Sequence, residues 1–259
     1  MIVTTAERPS AVLLARAEAL AKELGADCVP RRNETLRGME RIYGDDGVLV
    51  VSEGGLRYVR EDDSPLFFHP SMGLVRIKRL RDGGTDVMID VSGAQPGDRV
   101  LDCTAGLCSD AIVFSYAVGA EGSVTALEAS KLLHVIVREG LGEHDTGLED
   151  VNAALRSVEP VLGNHEQWLR GMEDRSVDIV YFDPMFQRPV TTSTSLRPLR
   201  GHAHHGTISE ETVKHAVRVA RKAVVLKDHR DSGEFRRLGF TVPRKTTKAV
   251  NYGVIRTNE

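Results

Sequence analysis

The apolar positions of this chain fall into two patterns, one irregular and one repeating. Near the start, Ser10 can cap a helix that runs to about Leu24, with Gly25 as its stop and Glu18 and Lys22 as an i,i+4 pair. Gly47 to Val51 and Leu56 to Val59, joined through Ser52-Glu-Gly-Gly, predict a β-hairpin. Glu61-Asp-Asp-Ser-Pro65 then breaks the pattern, so residues 1–65 are expected to form a small α+β appendage.

From residue 66 to 259 strand and helix patterns alternate. Asp98 to Asp102 predicts a short buried strand and Asp110 to Val118 a helix. Ser123 to Glu128 predicts a second strand, followed by a helix from about Lys131 and another helical stretch from Leu148 to Val158. Pro160 to Gly163 is a third, weak strand and Val177 to Phe182 a fourth. Glu210 to Arg221 predicts a helix and Ala223 to Lys227 a fifth strand, with Phe240 to Val242 and Ala249 to Ile255 as a closing antiparallel pair. Such alternation implies an α/β fold with a doubly wound, mostly parallel sheet. The polar stretch Val190 to Gly206 has the length usually reserved for function or disorder.

Composition narrows the class. The 259 residues are 41% hydrophobic and 27% charged, as in an ordinary globular protein of one domain with a small addition. The longest apolar run, Ala111 to Ala120, is too short to span a bilayer, and charges near the N-terminus argue against a signal peptide. Cys28, Cys103 and Cys108 form neither a disulfide framework nor a zinc spacing, which fits a reducing cytoplasm. The net charge of −3 hides an asymmetry: residues 1–185 carry 19 Lys and Arg against 31 Asp and Glu, and residues 186–259 carry 15 against 6. The basic third could steer a polyanion or be a solvated surface.

Three places carry candidate chemistry. The buried run Val177 to Phe182 ends abruptly in Asp183-Pro184-Met185-Phe186. Ligands of open α/β sheets bind beyond the carboxyl ends of the strands. An acid there can accept the N–H of a flat, amine-bearing ring while an aromatic such as Phe186 stacks on its face. The second place is the loop Leu101 to Asp110, where small residues around Asp102, Thr104 and Gly106 let backbone amides approach a ligand at a helix start. Thr104 and Cys108 stand where a dinucleotide fingerprint would want further glycines, which disfavours a nicotinamide enzyme. The third is Glu128, 26 residues after Asp102, an acid able to accept both hydroxyls of a ribose or simply to cap a helix.

Taken in order, Asp102-x-Thr104-Ala-Gly106-Leu-x-x-Asp110, Glu128, Gly163-Asn164-His165 and Asp183-Pro-Met-Phe resemble class I S-adenosylmethionine-dependent methyltransferases. More narrowly they resemble the RsmJ-type family, whose members methylate the exocyclic amine of a guanine in small-subunit ribosomal RNA. The likeness spans roughly residues 66–230 and includes Phe67-Phe-His69-Pro, with Arg76 following. It implies a Rossmann-like methyltransferase domain and cofactor contacts at Ser109, Asp110, Glu128, Ala129, Asn164, His165 and Asp183. The chain departs from the family at Cys108-Ser109 and at Gln187-Arg188-Pro189, the marks of a diverged member.

The expected activity is therefore methyl transfer from S-adenosylmethionine to an RNA amine, with Asp183 and the Pro184 carbonyl holding the amine and Phe186 stacking on the base. Arg188, Arg197, Arg200 and Lys227 are candidate substrate contacts. No metal is expected: His202, His204 and His205 read more readily as a solvated patch. Arg76, Lys78, Arg79 and Arg81 could grip phosphate or form a charged face, and His69 reads as structural. A protein or small-molecule amine as substrate stays open, as does a nucleotide-binding or assembly module without turnover.

Overall fold

Ile2–Thr5 (β1) is buried at every position and lies second in a five-stranded sheet. The structure is a computed structural model that describes residues 1–44, 47–60, 63–184, 207–243 and 249–257. Its described residues divide into two units, the first made of Met1–His69 with Lys131–Glu143, the second of the remainder.

In the first unit, β1 leads through Ala11–Leu24 (α1) to Asp27–Cys28 (β2), then through Leu36–Tyr43 (α2) to Val48–Ser52 (β3), Gly55–Val59 (β4) and Leu66–Phe67 (β5). The strand order is β2-β1-β3-β4-β5, with β1 parallel to both β2 and β3 and the last pairs antiparallel. Ser10 accepts a hydrogen bond from the Leu13 amide and Gly25 turns left-handed at φ 69°, so the helix starts and stops where the sequence marks it. The hairpin also forms as expected, pairing Val48 with Val59. The sequence reading passed over β1 and α2, and with them the parallel character of this sheet.

The second unit opens with Ser71–Arg81 (α3) and Val87–Ser92 (α4), neither of which was expected. There follow Arg99–Asp102 (β6), Ser109–Val118 (α5) and Ser123–Glu128 (β7); Lys131–Glu143 (α6) belongs to the first unit. The chain continues with Glu149–Arg156 (α7), Val158–Leu162 (β8), His165–Gly171 (α8), Val177–Phe182 (β9), Glu210–Val219 (α9), Ala220–His229 (β10), Glu234–Arg237 (α10) and Val250–Arg256 (β11). The strand order is β11-β10-β9-β6-β7-β8, parallel except for β11. Leu101, Val180, Phe182, Val224 and Leu226 anchor its core beside α9.

Some details differ from expectation for clear reasons. The third strand starts at Val158, two residues early, because β8 lies at the sheet edge, where Pro160 sits without owing the ladder an N–H. The fifth strand is ten residues long and irregular in register between Ala220 and Ala223. The closing antiparallel pair is β11 with β10; Phe240 to Val242 contributes the single bridge Thr241–Val254.

Candidate active site

In a doubly wound sheet the chain leaves its first strand in one direction and later returns to the other side. The crevice at that reversal is where ligands bind. Here β6 and β9 flank it. The ends of the two strands are stitched together: the Cys103 amide donates to the Tyr181 carbonyl at 2.9 Å, and the Asp183 amide donates to Thr104 Oγ1 at 2.6 Å. Asp102 is 1% exposed and accepts from the Thr104 amide at 3.0 Å; burial raises its carboxyl well above the ordinary range, and the nearby Asp110 and Asp183 charges act the same way.

The loop then crosses toward β7. The Ala105 amide donates to the Leu127 carbonyl at 3.0 Å, and Gly106, at φ 52°, donates to Glu128 Oε2 at 3.2 Å. The other Glu128 oxygen accepts from the Ser130 amide at 2.7 Å, so two backbone donors fix the half-buried carboxylate at the end of its strand. Cys108 takes φ 60° just ahead of α5, a conformation that glycine adopts without penalty. Its thiol is pushed up by burial and stays neutral.

A set of paired charges lies beside this loop. Gly73 lets α3 approach α5 closely, since a Cβ there would lie 2.8 Å from the Ser109 carbonyl oxygen. One turn later Arg76 reaches both Asp86, through two bonds of 2.7 and 2.8 Å, and Asp110. Asp110 also accepts from Tyr181 Oη and from Lys227 Nζ, each at 2.8 Å. Burial works against its charge, but the lysine and arginine outweigh it and hold the carboxyl well below the usual range. Lys227 Nζ donates in addition to Asp183 Oδ2 at 2.6 Å. Asp183 differs in sign from Asp110: burial, helped by the Asp110 charge and opposed by Lys227, pushes its carboxyl up to about 6. Tyr252 sits opposite Lys227 in the β10–β11 register, and burial, then the Asp110 charge, push its phenol up to about 12.

The structure thus brings Asp102, Thr104, Gly106, Asp110, Glu128, Asp183 and Lys227 to the carboxyl edge of one sheet. Ser109 begins α5, Ala129 is exposed after β7, and Pro184 is half-buried after Asp183. Asn164 caps α8, its Oδ1 accepting from the Glu166 and Gln167 amides at 2.9 and 3.3 Å. The His165 ring stands edge-on to Phe182 at 5.9 Å. Phe186, Arg188, Arg197, Arg200, His202, His204 and His205 lie outside the described residues.

Sequence reasoning missed Tyr181, Asp86 and Tyr252 and left Arg76 among surface-like arginines. Tyr181 could have been found, because a hydroxyl inside a fully buried strand needs a partner. Arg81, in the same basic run as Arg76, instead forms an exposed pair with Asp150 at 2.6 Å.

Comparison with known proteins gives the family. Residues 49–248 match a family described as "Putative SAM-dependent methyltransferase", SAM being S-adenosylmethionine. A Bacillus subtilis protein, the uncharacterized YpiP, is 40% identical over 257 residues, covering 99% of this chain and all of that one. The ribosomal RNA small subunit methyltransferase J of Pseudomonas syringae pv. tomato is 32% identical over 131 residues, 49% of this chain and 47% of that protein. The Pseudomonas aeruginosa protein of the same name is 30% identical over 175 residues, 63% and 65% of the two chains. The chain thus spans between about half and two thirds of the length of these two named methyltransferases. The crystal structure of a SAM-dependent methyltransferase from Neisseria gonorrhoeae superposes with a TM-score of 0.65 at 16% identity, over 99% of this chain and 96% of that one, which establishes the fold. Among the described residues no helix is long and apolar enough to cross a membrane. With the matched family spanning most of the chain, this protein belongs to the SAM-dependent methyltransferases and takes S-adenosylmethionine as its cofactor.

Proposed function

We propose that the chain methylates an exocyclic amine of RNA, guanine N2 of small-subunit ribosomal RNA being the target that the resemblance to the RsmJ-type family implies. The observation that carries this reading is the Asp183 carboxylate at the reversal of the sheet, oriented by Lys227 and tied through its amide to Thr104. Support comes from relatives named for ribosomal RNA methylation, which align over part of their length. A cytoplasmic setting follows from that substrate.

The residues present fit the cofactor. Glu128 is an acid fixed by two backbone donors at the end of the second parallel strand, the place where a ribose diol is accepted in such sheets. The small loop from Asp102 to Ser109, with left-handed turns at Gly106 and Cys108, lets the backbone come close to a ligand. We read Ala129, Asn164 and His165 as further contacts along the same edge, Asn164 through its backbone because its side chain caps α8. Bound S-adenosylmethionine supplies a methyl group made electrophilic by its sulfonium.

The chain's own part is alignment and electrostatics. Asp183 and the Pro184 carbonyl accept the two amine hydrogens and point the nitrogen lone pair at the methyl group. An aromatic amine on a purine gains acidity as it is methylated, so a carboxylate titrating near 6 is basic enough to take the proton. Lys227 keeps that carboxylate in one orientation, and Asp110 shares the lysine so that it is never left without a counter-charge. Phe186 is assigned to stack on the base. The boundary expected at residue 65 falls inside the first unit, which runs on through β5 to His69 and takes in α6, so the methyl-transfer part is taken as the second unit.

Two measurements test this. Purified protein with labelled S-adenosylmethionine is offered total RNA that lacks the modification, and the labelled base is mapped; label confined to protein or small molecules defeats the RNA reading. Reversing Arg188, Arg197 and Arg200 to Glu should weaken RNA binding and flatten its salt dependence by about one unit of slope per lost phosphate contact. An unchanged slope would reduce the basic C-terminal third to surface chemistry.

A further inference from the structure

The first unit has its own reversal of strand order. The chain leaves β1 through α1 to β2 on one side and returns through α2 to β3 on the other, both strands parallel to β1. By the rule that places ligands beyond the carboxyl ends at such a point, the crevice of this reversal falls between β1 and β3. A separate cleft of about 490 Å³ lies at the carboxyl ends of β1 and β2, between the residues that leave β1 (Thr5 to Pro9) and those that leave β2 (Cys28 to Asn33). That volume is within the roughly 300–1,000 Å³ usual for small-molecule sites.

The lining has two chemistries. Arg8, Arg31 and Arg32 bring guanidinium groups, and among the described residues Arg8 and Arg32 have no hydrogen-bonding or ion-pair partner. Pro9, Leu14, Val29 and Pro30 supply an apolar wall, extended by Cys28, whose thiol is kept protonated by burial and by Glu18. Glu7 and Glu18 also line the cleft, so its positive character is local to the arginines. Six non-glycine residues have positive φ among those described, and three of them, Arg8 at 58°, Arg32 at 47° and Asn33 at 64°, line this cleft. Backbone held in a sparsely populated region concentrates at ligand sites, where it aims a side chain. Two of those three aim an unpartnered guanidinium.

We propose that this cleft binds a nucleoside phosphate, with Arg8 and Arg32 on the phosphate and the nucleoside against Pro9, Leu14 and Pro30. Guanidinium forks match phosphate geometry, and an aliphatic wall beside them suits a flat base or a ribose. The ligand is either a free nucleotide or one residue of a single RNA strand, which share this chemistry. The site does not depend on the RNA reading above, since none of its residues belongs to the second unit.

Full-length protein is titrated by calorimetry with GMP, with AMP and with an eight-nucleotide single-stranded RNA. The same titrations are run on Arg8→Ala/Arg32→Ala and on Leu14→Trp, which fills the cleft and leaves its charges intact. Saturable binding of at least one ligand is expected for the unaltered protein, weakened about tenfold or more in both variants. Mononucleotide binding identifies a free nucleotide; binding of the oligonucleotide alone identifies a strand. S-adenosylmethionine titration of each variant should be unchanged, which shows the chain folded and keeps failure here separate from failure of the methyl-transfer reading. The proposal falls if none of the three ligands binds, if both variants bind as the unaltered protein does, or if Leu14→Trp binds normally while the arginine variant does not. The last result would leave an exposed positive surface and no cleft site.

Discussion

The two units gather charge at the carboxyl ends of parallel strands and treat it in opposite ways. In the second unit, Asp110, Arg76 and Lys227 have side chains 8%, 13% and 20% exposed, and each meets at least one opposite charge. In the first, Arg8 and Arg32 are exposed and have no partner among the described residues. Burial explains the difference. A desolvated ion must find its counter-charge inside the fold, whereas a hydrated guanidinium can wait for one from outside. Paired charges of the first kind set positions; unpaired charges of the second kind are free to recognise an anion.

The sharpest way to break the contrast is to remove Asp183. Asp183→Ala should lower methyl transfer by about 10²–10⁴-fold, the usual worth of a positioned acid or base. Its thermal midpoint should change little, because Lys227 keeps Asp110 as a partner. Loss of activity that merely follows loss of structure, seen by thermal scanning, would assign Asp183 to the turn alone. The same carboxyl sets a pH dependence. With its value near 6, turnover should rise from pH 5 to 7 as the carboxylate forms, and Asp183→Asn should abolish that limb. Stability runs the other way: a carboxyl raised above its ordinary value of about 3.9 favours the folded state most below that value and loses this contribution as pH climbs through about 6.

Asp110→Asn tests the pairing itself. It leaves Arg76 and Lys227 short of one buried counter-charge, and breaking a buried pair costs about 3–5 kcal/mol, readable as a fall in the denaturation midpoint. A shift no larger than that of an exposed pair such as Arg81–Asp150 would show that water screens the network after all. Glu128→Ala should weaken S-adenosylmethionine binding by about 1.5–3 kcal/mol by calorimetry, and unchanged affinity would remove Glu128 from the cofactor site. The smallest effect is expected at Arg32→Gly, where relief of a left-handed backbone offsets the added freedom of the unfolded chain. Stability should change by no more than about 1 kcal/mol while nucleotide binding falls.

Much of this was legible in the sequence, and the rest was hidden for identifiable reasons. Val177 to Phe182 announced a buried strand through its unbroken apolar run, and the acid that interrupts it marked the crevice. Glu128 stood out by its place at the end of the second expected strand, 26 residues after Asp102. By contrast, Arg76 is separated from Asp110 by 34 residues, and nothing local distinguishes it from Arg79 or Arg81; only the fold of α3 against α5 selects it. Cys108 stands where a dinucleotide fingerprint would want a glycine, and the sequence does not show that the backbone there is left-handed and tolerates a small thiol. The parallel pairing of β1 was missed because four residues carry too little periodicity to separate a strand from an apolar patch.

The sharing of α6 has a consequence for how the chain is made. Gly140 lies so close to Phe68 that an added Cβ would come within 2.1 Å of its ring, and α6 packs against β4, both within the first unit. The last residue of β4 is Val59 and α6 ends at Glu143, so more than eighty residues leave the ribosome before that surface is covered. At about 5–20 residues per second this interval is about 4 to 17 seconds. Throughout it the surface of β4 that α6 packs against stays uncovered, a window in which chaperone capture or misassembly competes with folding. A shortened gene ending near residue 65 would leave that window open permanently and should yield an insoluble product.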